Sequence, residues 1–347
     1  MTPSGSASEP EDAPLESEDA PGREVSRFRR VLKLSGAGLL AVPWIGVLIG
    51  IVVLGVLFNS TSPCHCFMTS SNLLTTAQEF SYVGIAALGG AMVIMTKGID
   101  LSVGSNISLS GLLAAAVMAD GHGTALALLA GLGVGIGVGL VNGFLVTVVG
   151  MQPFIATLGM LSVVGGAAVA YSQGFTLYPP QSFDSLGQGT ILGVPNPVVV
   201  MIGLAIALTL FLRYTPLGRH IYAVGGNEDA CRLLGIRVRR VKMFTYALAG
   251  LLGSVGGILL MSFLGSANPS QGLGDELNVI AAAVIGGGSL FGGQGTLFGT
   301  LGATLVGEIS DGLTLAQVPG YWTEMIVGCV ILTAIGVDQL RRRLRRG

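Results

Sequence analysis

Residues 124–149 read TALALLAGLGVGIGVGLVNGFLVTVV, an unbroken run without a single charged side chain. About 20 helical residues cross a hydrocarbon layer ~30 Å thick, so a run of this length and polarity is a membrane-spanning helix. Gly131, Gly135, Gly139 and Gly143 recur within it every fourth residue, which stacks them on one slowly drifting face. In lipid a helix satisfies its own backbone hydrogen bonds, and small residues let two helices meet backbone to backbone. The four glycines therefore mark a packing seam.

Working outward, the whole chain has the same character. Apolar residues are 51% of the 347 and charged residues 11%, with a mean hydropathy of +0.73. A soluble domain has about 25% charged residues, so that class is excluded. The 55 glycines are roughly twice the usual share and sit inside apolar runs with no three-residue period, which excludes collagen and flexible linkers. Apolar stretches of spanning character lie near 37–58, 80–97, 103–119, 124–149, 153–172, 195–212, 242–264, 275–288, 295–311 and 321–338. The eighth and ninth are short and interrupted by glycine. The expectation is an all-α polytopic membrane protein of about ten transmembrane helices.

Positive charge tests that count. Arg23, Arg27, Arg29, Arg30 and Lys33 precede the first span, seven Lys and Arg lie at 213–242, five Arg at 341–346, and the remaining one is Lys97. With ten spans, all eighteen fall on one side, and the loops at 59–79, 173–194, 265–274 and 312–320 hold none. By the positive-inside rule that side is the cytoplasm and both termini are cytoplasmic. Residues 1–22 are acidic, with Glu9, Glu11, Asp12, Glu16, Glu18 and Asp19, and read as a disordered tail. They lack the basic start and the cleavage site of a secretory signal, which leaves Gly36–Phe58 as a retained span. The division is then 1–35 (tail and basic segment), 36–340 (membrane domain, with a cytoplasmic loop at 213–242) and 341–347 (basic end).

Two strings suggest a duplication. Gly98-Ile99-Asp100-Leu101-Ser102-Val103-Gly104 and Gly287-Gly288-Ser289-Leu290-Phe291-Gly292-Gly293 each interrupt an apolar helix, with glycine, leucine and glycine at matching positions. Paired broken helices in two pseudo-repeated halves are the pattern of transporters, whose pathways run where backbone leaves the helix. Asp100 needs a partner or a wet cavity, since an unpaired carboxylate in the membrane costs ~3 kcal/mol. It suits a helix-capping role equally well. Asp100, Ser102, Asn106, Ser289 and Gln294 are the polar residues chosen as pathway candidates. The GxxxxGK[ST] pattern occurs neither in the glycines at 286–295 nor elsewhere in the chain, so no cofactor is expected on it and ATP hydrolysis is expected on another polypeptide.

In the basic loop, Asn227 is placed to cap a short helix whose first turn holds Glu228 and Asp229 and which Gly235 ends. Such a helix is either an exposed handle for a partner or a surface segment resting on anionic lipid through Arg232, Arg237, Arg239, Arg240 and Lys242. Cys64-His65-Cys66 has no fourth ligand in its loop and makes a poor tetrahedral metal set. Cys231 and Cys329 lie on the basic loop and in a span, so no disulfide framework is expected. Glu308, Asp311 and Glu324 fall at the outer ends of the last spans, open to solvent or a docking protein. No residue set suggests catalysis or nucleic-acid binding.

GIDLSVGS at 98–105, PFIATLGM at 153–160, TPLGRHIYAVGGNEDACRLLGI at 215–236 and VIGGGSLFGGQGTLFGTLGA at 284–303 resemble the membrane permeases of bacterial sugar ABC importers of the ribose, xylose, arabinose and galactose type. The resemblance spans about 37–340. It implies a type II importer fold in the plasma membrane. It also implies a second permease chain, two cytoplasmic ATPase subunits that use ATP and Mg, and an extracytoplasmic sugar-binding protein. Gly226, Asn227, Glu228, Asp229, Ala230, Cys231, Leu234 and Gly235 then correspond to the ATPase coupling helix. Cys231 stands where alanine is more usual, and Asp311 where asparagine is frequent. A competing reading is an ion-coupled secondary transporter using Asp100, and a third is a scaffold without transport.

Overall fold

The computed structural model describes residues 43–297, 299–323, 325–329 and 332–333. The acidic tail, ten of the eighteen basic residues, Glu324 and the end of the last expected span lie outside the described residues.

The helices are α1 (Pro43–Thr61), α2 (Ser70–Glu79), α3 (Ser81–Met95), α4 (Val103–Ala119), α5 (Thr124–Phe144) and α6 (Pro153–Ser172). After the short α7 (Asp184–Gln188) and a two-residue hairpin come α8 (Asn196–Tyr214), α9 (Pro216–Gly226) and α10 (Glu228–Leu233). Then follow α11 (Val238–Leu264), α12 (Asp275–Ile285) and α13 (Gly299–Leu315). Four helices are long and apolar enough to span a membrane, namely α5 with its terminal π-turn Leu145–Val149, α6, α8 and α11. The α2–α3 pair, bent by 49°, qualifies as a fifth.

Burial explains the arrangement. On α3, Ile85, Leu88, Met92 and Met95 are fully buried, and α8, α11, α12 and α13 pack directly around it. A helix apolar on every side belongs at the centre of a bundle. Leu129 on α5, Val163 on α6 and Ile206 on α8 are 68%, 66% and 56% exposed. Apolar side chains in such numbers on outward faces meet lipid. On the inner face of α5, a Cβ on Gly131 would touch the Ser110 carbonyl oxygen of α4. On Gly135, Gly139 and Gly143 it would meet Gly250, Tyr246 and Met243 of α11. The seam therefore carries the broadest helix contact among the described residues.

Four expectations need correction. The expected loop 59–79 contains α2, because the Thr69 hydroxyl accepts from the Asn72 N–H and starts a helix there. The ninth apolar stretch continues past 311 to Leu315. Cys64 and Cys66 form a disulfide. His65 between them takes a left-handed φ of 48°, which brings their Cα atoms to 5.1 Å. Glu308 is buried rather than solvated, because α13 turns it inward, and Asp311 accepts from Asn72 Nδ2 at 2.6 Å and Thr76 Oγ1 at 2.9 Å.

Candidate functional site

The helix–break–helix pattern occurs twice, as α3–α4 around 96–102 and α12–α13 around 286–297, and α12 and α13 both pack against α3. At the first break Asp100 Oδ1 accepts from the Ser102 N–H (2.9 Å) and the Ser102 hydroxyl (2.7 Å). This Asx-type turn leads the chain into α4. Asn142 of α5 donates to Ser102 Oγ at 2.7 Å and reaches Asp100 Oδ1 at 3.4 Å. Tyr246 of α11 and Thr157 of α6 both donate to the Ile99 carbonyl at 3.3 Å. One turn further on, Asn106 donates to the Gly250 carbonyl at 2.9 Å and accepts from Ser110. Asp100, Ser102 and Asn106 are thus buried and committed to side-chain bonds that tie α4 to α5 and α11.

The second break is built from backbone. Gly287, Gly292 and Gly293 sit at φ 105°, 73° and 70°, conformations that a side chain resists. The Ser289 N–H donates to the Gln294 carbonyl at 3.2 Å and the Gly292 N–H to the Ser289 carbonyl at 2.9 Å. Ser289 is buried and Gln294 exposed, so the five polar candidates divide between two separate breaks.

The basic loop joins those breaks. Thr215 caps α9 by accepting from the Gly218 N–H, and Pro216 supplies a pre-set first turn. The far end of α9 is wedged in place. A Cβ on Gly225 would run into the Met95 carbonyl at the end of α3 and the Gly293 N–H of the glycine loop. Those two groups bond each other at 2.9 Å. Lys97, at a left-handed φ of 60°, reaches the Gly226 carbonyl at 3.4 Å, and Tyr222 donates to the Gly295 carbonyl at 3.1 Å. The turn between α9 and α10 therefore touches both breaks at once.

Helix α10 follows as the spacing predicted, with Asn227 Oδ1 accepting from the Ala230 N–H at 2.9 Å and Gly235 at φ 78° just past its end. Glu228 is bonded by Arg232 (2.8 Å) and by Lys242 of α11 (2.7 Å). Burial favours its neutral form, but the Lys242 and Arg232 charges outweigh that and hold the carboxyl below its ordinary 4.5. Cys231 is buried in the main core with Ile221, Val224 and Val238, while Leu233 and Leu234 are 90% and 80% exposed. One face of α10 is anchored and the other presents two bare leucines.

The sequence reading missed Leu233 and Tyr222, and it named Lys97 and Lys242 without these contacts. Leu234 lies three residues after the buried Cys231, a spacing that predicts a shared face, so the exposure of both leucines comes from the helix ending at Leu233 rather than from its period. The other three act through contacts distant in sequence, for which no local signal exists.

The family model for the branched-chain amino acid transport system permease component matches residues 72–335. The chain belongs to that permease family. Among curated relatives, the ribose import permease RbsC of Bacillus subtilis is 40% identical over 301 residues, covering 86% of this permease and 92% of the relative. The D-allose transport system permease AlsC of Escherichia coli is 33% identical, covering 84% and 90%. The L-arabinose permease AraH of Azospirillum brasilense is 34% identical, covering 87% and 89%. No solved structure matches the chain. The permease is a multi-pass membrane transport subunit rather than an enzyme. An ion-coupled mechanism is not favoured, since Asp100, its one candidate, is engaged by Ser102 and Asn142 in a permease of this family.

Proposed function

We propose that this permease is the membrane-spanning subunit of an ATP-driven importer of a monosaccharide, moved by ATPase subunits that grip α10. The carrying observation is the wedge of Gly225 and Gly226 between Met95 and Gly293, which links an exposed handle to both helix breaks. A rigid-body push on α10 then reaches both broken helices without passing through a soft linker. Leu233 and Leu234 provide the apolar anchor of the docking face, and Asp229 its charged rim. Relatives named for ribose, allose and arabinose support a small sugar as cargo.

The full assembly in this reading has a second permease chain, two cytoplasmic ATPases using ATP and Mg, and an extracytoplasmic sugar-binding protein. Residues 36–340 form ten spans of the type II importer fold in the plasma membrane, with both termini and the loop at 213–242 in the cytoplasm. Asp100, Ser102 and Asn106 at the first break, and Ser289 and Gln294 at the second, border the pathway that opens when the breaks move.

The test is ATP-dependent ribose uptake in vesicles carrying the complete complex, with Glu228→Arg and Asp229→Arg introduced together. Loss of uptake with loss of ATPase docking is expected. Unchanged uptake with unchanged docking removes the assignment of α10.

A further inference from the structure

Where α11 begins, Arg237, Val238, Arg239 and Arg240 line an open groove of about 560 Å³ together with Arg232 of α10. A second hollow of about 230 Å³ shares Arg232, Val238 and Arg239 with it. That hollow continues to Val146, Thr147, Val148 and Gly150 at the π-turn closing α5. Glu228, the acid lining this pair of hollows, is already bonded by Arg232 and Lys242. Asp229 lies 3.6 Å from Arg232 on the exposed rim. Among the described residues, Arg237, Arg239 and Arg240 make no ion pair with any acid. Three guanidinium groups crowded in one hollow repel one another until an anion enters.

Charge alone fits an acidic protein surface, a free phosphate or a lipid headgroup. The neighbouring wall separates them. Val146 and Val148 line the second hollow, and Val148 is 47% exposed. An acidic protein surface or a free phosphate leaves those valines in water. An anionic phospholipid covers both features, its phosphate on the planar guanidinium forks and its acyl chain on the valines. The site also lies at the foot of a spanning helix, the depth at which headgroups sit.

We propose that this groove holds one anionic phospholipid, with its phosphate against Arg237, Arg239 and Arg240 and its acyl chain along Val146 and Val148. This site is independent of the cargo and needs the membrane residence of the chain; it borders the docking helix α10 through Arg232 and Glu228.

The test is native mass spectrometry of the full-length protein released from nanodiscs of phosphatidylcholine and phosphatidylglycerol in equal parts. Wild type should retain phosphatidylglycerol in preference to phosphatidylcholine. The triple variant R237Q/R239Q/R240Q should hold it on the order of a hundredfold more weakly. V146S/V148S should weaken retention with the arginines intact, and inorganic phosphate should not displace the lipid. Should the triple variant fail to fold, R239Q alone is expected to weaken retention about fivefold. Wild-type retention in a folded arginine variant overturns the proposal. So does complete displacement by inorganic phosphate, which marks a free-anion site. Loss of ATPase binding in the triple variant with lipid retention unchanged also overturns it, and gives the groove to the protein partner.

Discussion

The break at 96–102 and the break at 286–297 share glycine, leucine and glycine at matching positions, yet they are held in opposite ways. The first is saturated with side-chain bonds from three other helices: Asn142 of α5, Thr157 of α6 and Tyr246 of α11 all converge on residues 99–102. The second is a glycine loop closed by backbone bonds and by two local side-chain bonds, Thr296 Oγ1 to the Gly286 carbonyl and the Phe291 N–H to Ser289 Oγ, and it is gripped from outside by Tyr222 and by the Met95 carbonyl. Side-chain networks between packed helices resist displacement, because moving any member strands a buried polar group. A backbone loop of glycines has no such network and follows whatever holds it. In the proposed mechanism the first break is the stiffer of the two and the second the one that moves further with α9 and α10.

The largest expected effect comes from breaking the grip. Gly225→Val drives a side chain into the Met95 carbonyl and the Gly293 amide, overpacking that costs about 3 kcal/mol. Uptake should be abolished, and ATPase subunits should no longer co-purify. A functional G225V would mean that the wedge is not the transmission point. Next comes the stiffer break itself. Asn142→Leu leaves the buried Ser102 hydroxyl and Asp100 carboxylate without their amide donor, a loss of about 1–3 kcal/mol. A lowered thermal unfolding midpoint in detergent is the readout, and an unchanged midpoint would deny the first break its rigidity.

A smaller effect follows from the tether between α10 and α11. A carboxylate whose folded pKa is lowered lends stability above its unfolded value and loses it as pH falls through the folded one. The Glu228 tether should hold from neutral pH down to about its ordinary 4.5 and slacken below it. Glu228→Gln should cost about 1 kcal/mol and remove that acid dependence. Proteolytic cleavage of the 226–237 segment across pH measures both. The smallest effect is expected from Ser289→Ala at the second break. Its hydroxyl accepts only from the Phe291 N–H, at 3.3 Å, while the loop keeps its backbone bonds. Uptake within about a factor of two of wild type is expected, for the loss of about 0.5 kcal/mol, the low end for one hydrogen bond. A collapse of transport would make the second break as side-chain dependent as the first.

Much of this molecule was legible from residues alone, and for one reason: lipid penalises an unpaired polar group so heavily that composition and period reveal the helices. The run 124–149, the glycines at 131, 135, 139 and 143, and the cap at Asn227 all obey rules acting within a few residues. The helix at Ser70–Glu79 escaped notice because its polar, amphipathic run resembles a loop at spanning resolution, and only the Thr69 cap declares it. Asn142 gave no sign of its role inside an apolar run, since its partners Asp100 and Ser102 are some forty residues away. Which surface of the handle is anchored and which is bare, that Gly225 rather than a side chain carries the wedge, and that Arg239 shares a hollow with Val146 were decided by tertiary packing. Those contacts join segments far apart in the chain, and no local propensity encodes a distance between them.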